Sequence, residues 1–163
     1  MIINTKHFDT ITIDPKEILT FDEGIPGFPK DHRFVLLGEE EDSPFCYLQS
    51  IDNAELAFVL VNPLDLEPTY EPKVPQEQLE GLGELKDGSL LVYAIVVVPE
   101  DVTQMTANLK APVVIHVHTK KGKQMITEND EYPIRYKIFD VLQGRQEQLE
   151  KEQGSQKEEK GGQ

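Results

Sequence analysis

Ten short apolar runs, separated from one another by turn-forming residues, constrain the fold of this chain more than any other feature. The runs are rich in Val, Ile, Phe and Tyr, which favour β-strands. We predict strands at residues 2–3, 11–13, 18–21, 33–37, 45–49, 57–61, 90–98, 113–118, 123–127 and 133–139. The run at 90–98 is apolar on both alternating faces, and this pattern predicts the most buried strand of the sheet.

Helical patterns are scarce in this sequence. Before the C-terminal tail we predict one short helix at residues 76–82, which ends at Gly83. No amphipathic segment of about 10–15 residues lies between the strands, and this argues against parallel βαβ units. We therefore predict a mostly β fold, a single antiparallel domain over residues 1–142 that is barrel-like or a sandwich, with at most one or two short helices. Lys121 and Gly122 are predicted to form a hairpin turn.

Residues 143–163 form a polar C-terminal tail. Its one strongly apolar side chain is Leu149, which lies among Gln, Glu, Lys and Gly. Such a segment cannot bury enough surface to offset a backbone ordering entropy of roughly 1–2 kcal/mol per residue. We predict that the tail is disordered or forms a frayed helix.

The net charge of −14 is concentrated in one part of the sequence. Residues 38–101 carry 15 acidic and two basic side chains, a net charge of −13. An acidic surface keeps a protein soluble, and it also attracts basic proteins and repels nucleic acid. Direct nucleic-acid binding is disfavoured, because contacts to phosphates need clustered Lys and Arg.

Cys46 is the only cysteine, so no disulfide can form within the chain. It lies in an alternating run, where a cysteine is usually a small core residue. The N-terminus has no basic region followed by an apolar one, so it lacks the pattern of a secretory signal. The longest apolar run, residues 90–99, is about half the length of a membrane-spanning helix. We predict a cytoplasmic protein that does not insert into membranes and is monomeric on its own.

No catalytic pattern stands out in the sequence. The chain has no G-x-S-x-G nucleophile elbow and no glycine-rich phosphate loop, and we predict neither a catalytic residue nor a cofactor. One alternative stays open, a cupin-like metal-binding enzyme in which His116 and His118, on the same face of a strand, hold one ion. Cupin-type sites add a glutamate a few residues later, where this chain has the cationic sequence TKKGK. The other interpretation is that both imidazoles lie on the solvent or rim face of the strand.

The loop at residues 24–28, with the sequence GIPGF, is predicted to be a stiff turn. Its two glycines allow backbone angles that other residues resist, and Pro26 fixes its own φ. The turn presents Ile25 and Phe28. Two interpretations remain open, since these side chains either plug the end of the barrel or form a rim that binds a partner.

Five stretches of the chain form an ordered set across residues 1–140. They read FDEGIPGF at 21–28; FCYLQSIDN at 45–53, leading into AFVLV at 57–61 and Pro63; LKAPVVI at 109–115, preceded by Thr106 and Asn108; GKQ at 122–124; and YPIR at 132–135. Together they resemble the family of the flagellar assembly factor FliW. Two departures are that the family usually has asparagine at the position of His116, and that the polar tail of this chain is longer.

This resemblance implies a β-rich binding protein that catalyses no reaction. Members of the family bind flagellin before its export, and they bind CsrA, an RNA-binding translational regulator that represses flagellin mRNA. The two partners share the protein in a switch. Accumulated flagellin occupies it and frees CsrA, whereas export of flagellin releases it to antagonise CsrA and relieve repression.

The charge distribution predicts which residues meet the basic partner. Some of Asp65, Glu67 and Glu71 are expected on an acidic face, because three prolines within residues 63–72 interrupt regular pairing and expose that segment. Carboxylates there would attract the cations of an RNA-binding protein and oppose nearby RNA phosphates. Screening limits that effect to about 8 Å at physiological salt.

Overall fold

The computed structural model describes residues 1–40 and 42–144 of the chain. Its strands are β1 (Ile2–Asn4), β2 (Thr10–Thr12), β3 (Leu19–Thr20), β4 (Arg33–Leu37), β5 (Phe45–Ser50), β6 (Ala57–Val61), β7 (Leu90–Val97), β8 (Thr106–Ala107), β9 (Val113–His116), β10 (Gly122–Gln124) and β11 (Tyr136–Lys137). The helical parts are α1 (Gln76–Leu79), residues 139–144, and single 3-10 turns at Pro15–Glu17, Pro63–Asp65 and Val102–Gln104.

The strands form two antiparallel sheets. Strands β1 and β2 pair with each other, and the large sheet has the order β10-β9-β7-β6-β5-β4-β3, with β8 paired to β7 and β11 paired to β8. The two ends of the large sheet meet at one point, where the N–H of Thr20 donates to the carbonyl of Lys120 at 2.8 Å. A single bridge does not close a barrel, so the sheet is curled and open. The prediction of a mostly β, antiparallel fold with at most two short helices is confirmed.

Two apolar clusters form most of the core. The first contains Phe21, Phe34, Leu48, Leu60 and Ile115, and the second contains Val61, Tyr70, Ala107, Leu109 and Ile138. Burial of one such large apolar side chain contributes roughly 1.5–3 kcal/mol to folding. The second cluster includes residues that anchor the candidate site.

Strand β7 is less buried than its composition predicts. Leu91 is 38% exposed and Val97 is 62% exposed, whereas all four residues of β9 are buried. Residues 94–96 pair with β6, but β6 ends at Val61, so the first half of β7 has a neighbour on one side only. The prediction that this run is the most buried strand was therefore wrong.

The turn between β9 and β10 lies earlier than predicted. Gly122 is the first residue of β10 and pairs with Ile115, while residues 117–121 make the turn and Lys120 adopts a φ of 61°. Glycine at position 122 is needed for a different reason, because the ring of Phe21 lies directly over it. The K-G dipeptide therefore marks a close contact within the sheet rather than the turn.

The helical predictions match in position and differ in length. Helix α1 ends at Leu79, because Glu80 is extended and Leu82 turns into a cluster with Val114 and Met125. Most of the predicted polar tail lies outside the described residues, so the expectation of disorder stays a prediction. Within the described chain, no helix has the length and apolar character needed to cross a membrane.

Candidate partner-binding surface

The acidic segment, residues 62–73, follows β6 and is held in a defined path by a buried tyrosine. The hydroxyl of Tyr70 donates to the carbonyl of Leu109 at 2.7 Å. Its ring centroid lies 4.6 Å from that of Tyr132. Burial raises the pKa of Tyr70 above its ordinary value, so the hydroxyl keeps its proton and remains a donor at neutral pH. The segment is thereby attached to the core at its middle.

Backbone hydrogen bonds attach the end of the same segment to a distant part of the chain. The N–H of Glu71 donates to the Tyr132 hydroxyl at 2.8 Å, and the N–H of Lys73 donates to Asn129 Oδ1 at 2.7 Å. The carbonyl of Lys73 accepts from the N–H of Glu128 at 2.7 Å. These bonds hold two segments about 60 residues apart in sequence side by side.

An open groove of about 420 Å³ lies between these two segments. Its charged lining consists of the three carboxylates of Glu67, Glu71 and Glu131 and the single ammonium group of Lys73. The remaining lining residues are Thr69, Leu109, Asn129, Tyr132, Pro133 and Tyr136. We call this feature the acidic groove, and its charges suit a cationic protein surface.

Glu131 is the carboxylate of the acidic groove that the sequence did not predict. The side-chain amide of Asn129 donates to Glu131 Oε1 at 3.0 Å and holds the pKa of that carboxyl below its ordinary value. Glu131 lies outside the acidic stretch 38–101, and only the acidic sequence ENDE at residues 128–131 could have indicated it.

The structure brings together two of the three predicted acidic residues. Glu67 and Glu71 both line the acidic groove, whereas Asp65 lies half-buried in the 3-10 turn before it and does not line it. Two ion pairs at exposed side chains engage other carboxylates of the stretch 38–101, Asp52 with Arg33 and Glu84 with Lys86. Since the stretch has only two cations of its own, they cannot neutralise its surplus of negative charge.

The GIPGF loop divides between the core and the surface. Gly24 and Gly27 have φ values of 68° and 91°, as the predicted stiff turn requires. Ile25 is 2% exposed and belongs to the first core cluster, so its prediction as a partner-binding residue is corrected: it fills the end of the sheet. Phe28 is 39% exposed and packs edge-on against Phe58 at 5.5 Å. Neither loop residue lines the acidic groove.

The two histidines do not form a metal-chelating pair. His116 is 2% exposed, and its Nε2 lies 2.7 Å from the carbonyl oxygen of Glu84. Its Nδ1 lies 3.2 Å from the backbone nitrogens of His118 and Thr119. Because carbonyls only accept and backbone N–H groups only donate, Nε2 carries the proton and Nδ1 accepts. Both ring nitrogens are used, and the metal-binding alternative does not fit this geometry.

His118 lies outside the strand, in the exposed turn after β9, so the two imidazoles do not share a strand face. The expectation that both histidines lie at a solvent or rim face is wrong for His116. Within the described residues, no group of three or more His, Cys, Asp or Glu side chains could hold a metal ion.

We expect His116→Ala to lower the free energy of unfolding by about 2–4 kcal/mol. The substitution leaves the Glu84 carbonyl and two backbone N–H groups without a partner and opens a cavity. His118→Ala is the matched control and should change it by less than about 1 kcal/mol, because that side chain is exposed and loses only an edge contact with the His116 ring at 5.7 Å. Urea unfolding followed by circular dichroism measures both. Equal losses for the two variants would contradict the structural role assigned to His116.

Cys46 is a core residue, as predicted. Its thiol lies in the first cluster, and burial raises its pKa to about 12. Since the thiolate is the reactive form, the group is inert at neutral pH. This geometry does not suit a nucleophile.

Comparisons with known proteins agree with one another. A model of the family described as FliW protein matches residues 2–138. The flagellar assembly factor FliW of Thermoanaerobacter pseudethanolicus is 43% identical over 143 residues, covering 87% of this chain and 95% of that protein. That of Caldicellulosiruptor bescii is 38% identical over 141 residues, covering 86% and 92%. A crystal structure of the flagellar assembly factor FliW matches with a TM-score of 0.78 at 39% identity, covering 85% of this chain and 97% of the other.

Proposed function

The chain belongs to the FliW family of flagellar assembly factors, and from this premise we propose that it acts in the cytoplasm by binding proteins, without catalysing a reaction. Its proposed partners are flagellin and the translational regulator CsrA. Binding of CsrA relieves repression of flagellin mRNA, and binding of flagellin withdraws the protein from CsrA.

The acidic groove is the observation that carries the proposed contact with CsrA. A protein that binds RNA must present Lys and Arg to the phosphates. In the acidic groove, Glu67, Glu71 and Glu131 face a shared space with Lys73 as the only cation in the lining. Complementary charge increases the rate of encounter and favours the correct partner. The carboxylates also oppose RNA phosphates that pass within about 8 Å.

The effect on RNA does not require that RNA and the acidic groove occupy the same surface of CsrA. A bound acidic neighbour weakens RNA binding through a coupling free energy, and RNA then weakens binding of that neighbour by the same factor. For flagellin, the amphipathic helices of its termini suit an apolar contact. Phe28, which is exposed at the GIPGF loop, stays a proposed contact of this kind.

A competition measurement tests the proposed function. Purified CsrA carrying a fluorescent label is titrated with the chain, and purified flagellin is then added. We expect an increase in anisotropy on the first addition and its reversal on the second, because the partners exchange. Flagellin lacking its terminal helices is the control and should leave CsrA bound. The switch would be contradicted if neither CsrA nor flagellin bound the chain, or if the chain, CsrA and flagellin formed one stable complex.

A further inference from the structure

The pairing between β6 and β7 stops early because a proline, Pro63, comes shortly after the last paired residue of β6. The last pair of the ladder is Val61 with Ala94, and continuing the register places Pro63 opposite Val92. Proline has no backbone N–H and cannot continue the ladder. The chain turns away there into the 3-10 turn, which Asn62 caps. The first half of β7 therefore has an open edge.

The direction of the β7 backbone groups follows from bonds elsewhere in the strand. The carbonyl of Ile95 accepts from Asn108 on the side of β8, and the carbonyl of Ser89 accepts from Val117 after β9. Backbone groups alternate in direction along a strand, so odd-numbered residues face β8 and β9 and even-numbered residues face β6. The N–H and C=O groups of Leu90 and Val92 consequently point to the open edge. Among the described residues, neither has a backbone hydrogen-bond partner there.

A second groove, of about 290 Å³, runs along this edge. It is lined by Asn62, Pro63, Leu64, Tyr70, Pro72 and residues 90–93, and we call it the edge groove. Its lining is mainly apolar, and Leu64 is 49% exposed. No residue lines both this groove and the acidic groove, so the two sites are separate.

We propose that the edge groove binds an extended segment of a basic partner protein, which adds a strand to the open edge of β7. Backbone groups of such a strand satisfy those of Leu90 and Val92, and apolar side chains at alternate positions contact Leu64 and Pro72. No carboxylate lines the edge groove itself, but Lys and Arg of the partner complement the net charge of −13 over residues 38–101, to which Glu84 and Asp87 before β7 belong. This mode of binding goes beyond the proposed function and does not depend on which protein supplies the strand.

Charge and composition select this occupant over the two other sources of a strand. A second copy of the chain carries a net charge of −14 and would be repelled. The C-terminal tail, residues 143–163, has one strongly apolar residue, Leu149, and cannot place apolar side chains at alternate positions. A basic, alternately apolar segment satisfies both requirements.

Amide hydrogen exchange on the full chain, measured by NMR, tests the proposal. In the free protein, the amides of Leu90 and Val92 should exchange at least about tenfold faster than those of Leu91 and Tyr93, which face β9. The probe is a capped nine-residue peptide of alternating Lys and Val. Its addition should slow exchange at Leu90 and Val92 by at least about tenfold.

The matched control is the same peptide with N-methyl groups on alternate amides, which keeps every side chain and charge but removes the strand donors. It should lose at least about tenfold in affinity. The chain with Val92→Pro, which lacks one of the two donors at the open edge, should lose a similar factor for the unmodified peptide. The peptide comparison stands alone if this variant does not fold.

Four results would overturn the proposal. Protection of Leu90 and Val92 in the free protein at every concentration would mean that the chain covers its own edge. Protection that rises with protein concentration would identify a second copy as the occupant. Equal binding of both peptides, with shifts at Glu67 and Glu71, would show attraction by charge alone. Absence of any protection by the peptide at millimolar concentration would show that the edge takes no strand. None of these results depends on CsrA or flagellin, so they leave the proposed function intact.

Discussion

Replacing the three carboxylates of the acidic groove by lysine, in the variant E67K/E71K/E131K, should weaken CsrA binding about 100-fold. An exposed ion pair contributes about 0.5 kcal/mol, and reversal replaces that attraction by a repulsion of similar size. Three such reversals on one contact surface together amount to roughly two orders of magnitude in Kd. Isothermal titration calorimetry with purified CsrA measures the change. Gel-shift titration with flagellin mRNA should show the same loss of CsrA antagonism.

The control for this prediction has the same net charge. Glu77, Glu80 and Glu100 are exposed and line neither groove, and E77K/E80K/E100K raises the charge equally. Because charges outside the contact surface are largely screened at physiological salt, this variant should lose less than about threefold in affinity. If both triple variants lost the same factor, total charge rather than the acidic groove would be responsible.

Salt dependence separates the groove mechanism from misfolding. Affinity of the unmodified chain for CsrA should fall steeply as ionic strength rises, and that of the groove variant should change much less. Both variants should unfold at nearly the same urea concentration as the unmodified chain, since all six side chains lie at least partly on the surface. Thus a weak, salt-insensitive complex with a normal unfolding transition is the expected signature.

The strands could be predicted from sequence because their signal is local. The strands β4 and β6 begin and end at the predicted residues 33–37 and 57–61, where β-branched and aromatic residues are bounded by turns. The two-residue strand β8 was not predicted, because Thr106–Ala107 is too short to show a pattern. It becomes a strand only through pairing with β7 and β11.

Only the part of the acidic groove formed by residues 62–73 could be predicted from the sequence. Prolines and carboxylates within 62–73 indicate an exposed acidic segment, and the structure places Glu67 and Glu71 there. Glu131 joins them through hydrogen bonds that Tyr132 and Asn129 make to the segment about 60 residues earlier. Such a contact depends on the tertiary fold and has no periodicity that a single sequence could reveal.

His116 and Ile25 show the opposite limit. Each was considered for a functional role because its residue type and position suit a surface site. His116 lies instead beneath the segment around Glu84, and Ile25 lies in the first core cluster. A strand or loop pattern gives the order of side chains along the chain, but which face becomes covered depends on elements distant in sequence.

Gly122→Ala should destabilise the chain by about 2–3 kcal/mol. A Cβ at position 122 would overlap the ring of Phe21, lying 2.7 Å from Cε1 and 2.8 Å from Cε2. That ring is fully buried and packs edge-on against Phe34 at 5.2 Å, so it cannot swing away. Overpacking of a filled core typically costs 1–3 kcal/mol. Urea unfolding followed by far-ultraviolet circular dichroism measures the loss.

Two comparisons assign that loss to the contact with Phe21. In Gly144→Ala the new methyl group meets open space, and because that residue is helical, stability should stay the same or rise slightly. Phe21→Leu alone should cost about 1–2 kcal/mol through lost burial, but it makes room at position 122. The double variant F21L/G122A should therefore be more stable than the sum of its single changes predicts, by about 1 kcal/mol or more.

The same contact explains why the open sheet keeps its curl. The end strands of the large sheet, β3 and β10, meet where Lys121 bridges to Thr20. Gly122 follows Lys121 and Phe21 follows Thr20, so their contact lies at this junction. A bulkier residue at position 122 must push β10 away from the end of β3, and the Thr20–Lys121 bridge and the partly exposed ion pairs Lys121–Asp22 and Lys123–Glu23 hold the two ends together only weakly. Additive losses in the double variant, or an unchanged unfolding midpoint in Gly122→Ala, would mean that the two ends of the sheet do not touch. In that case the sheet would need another explanation for its curvature.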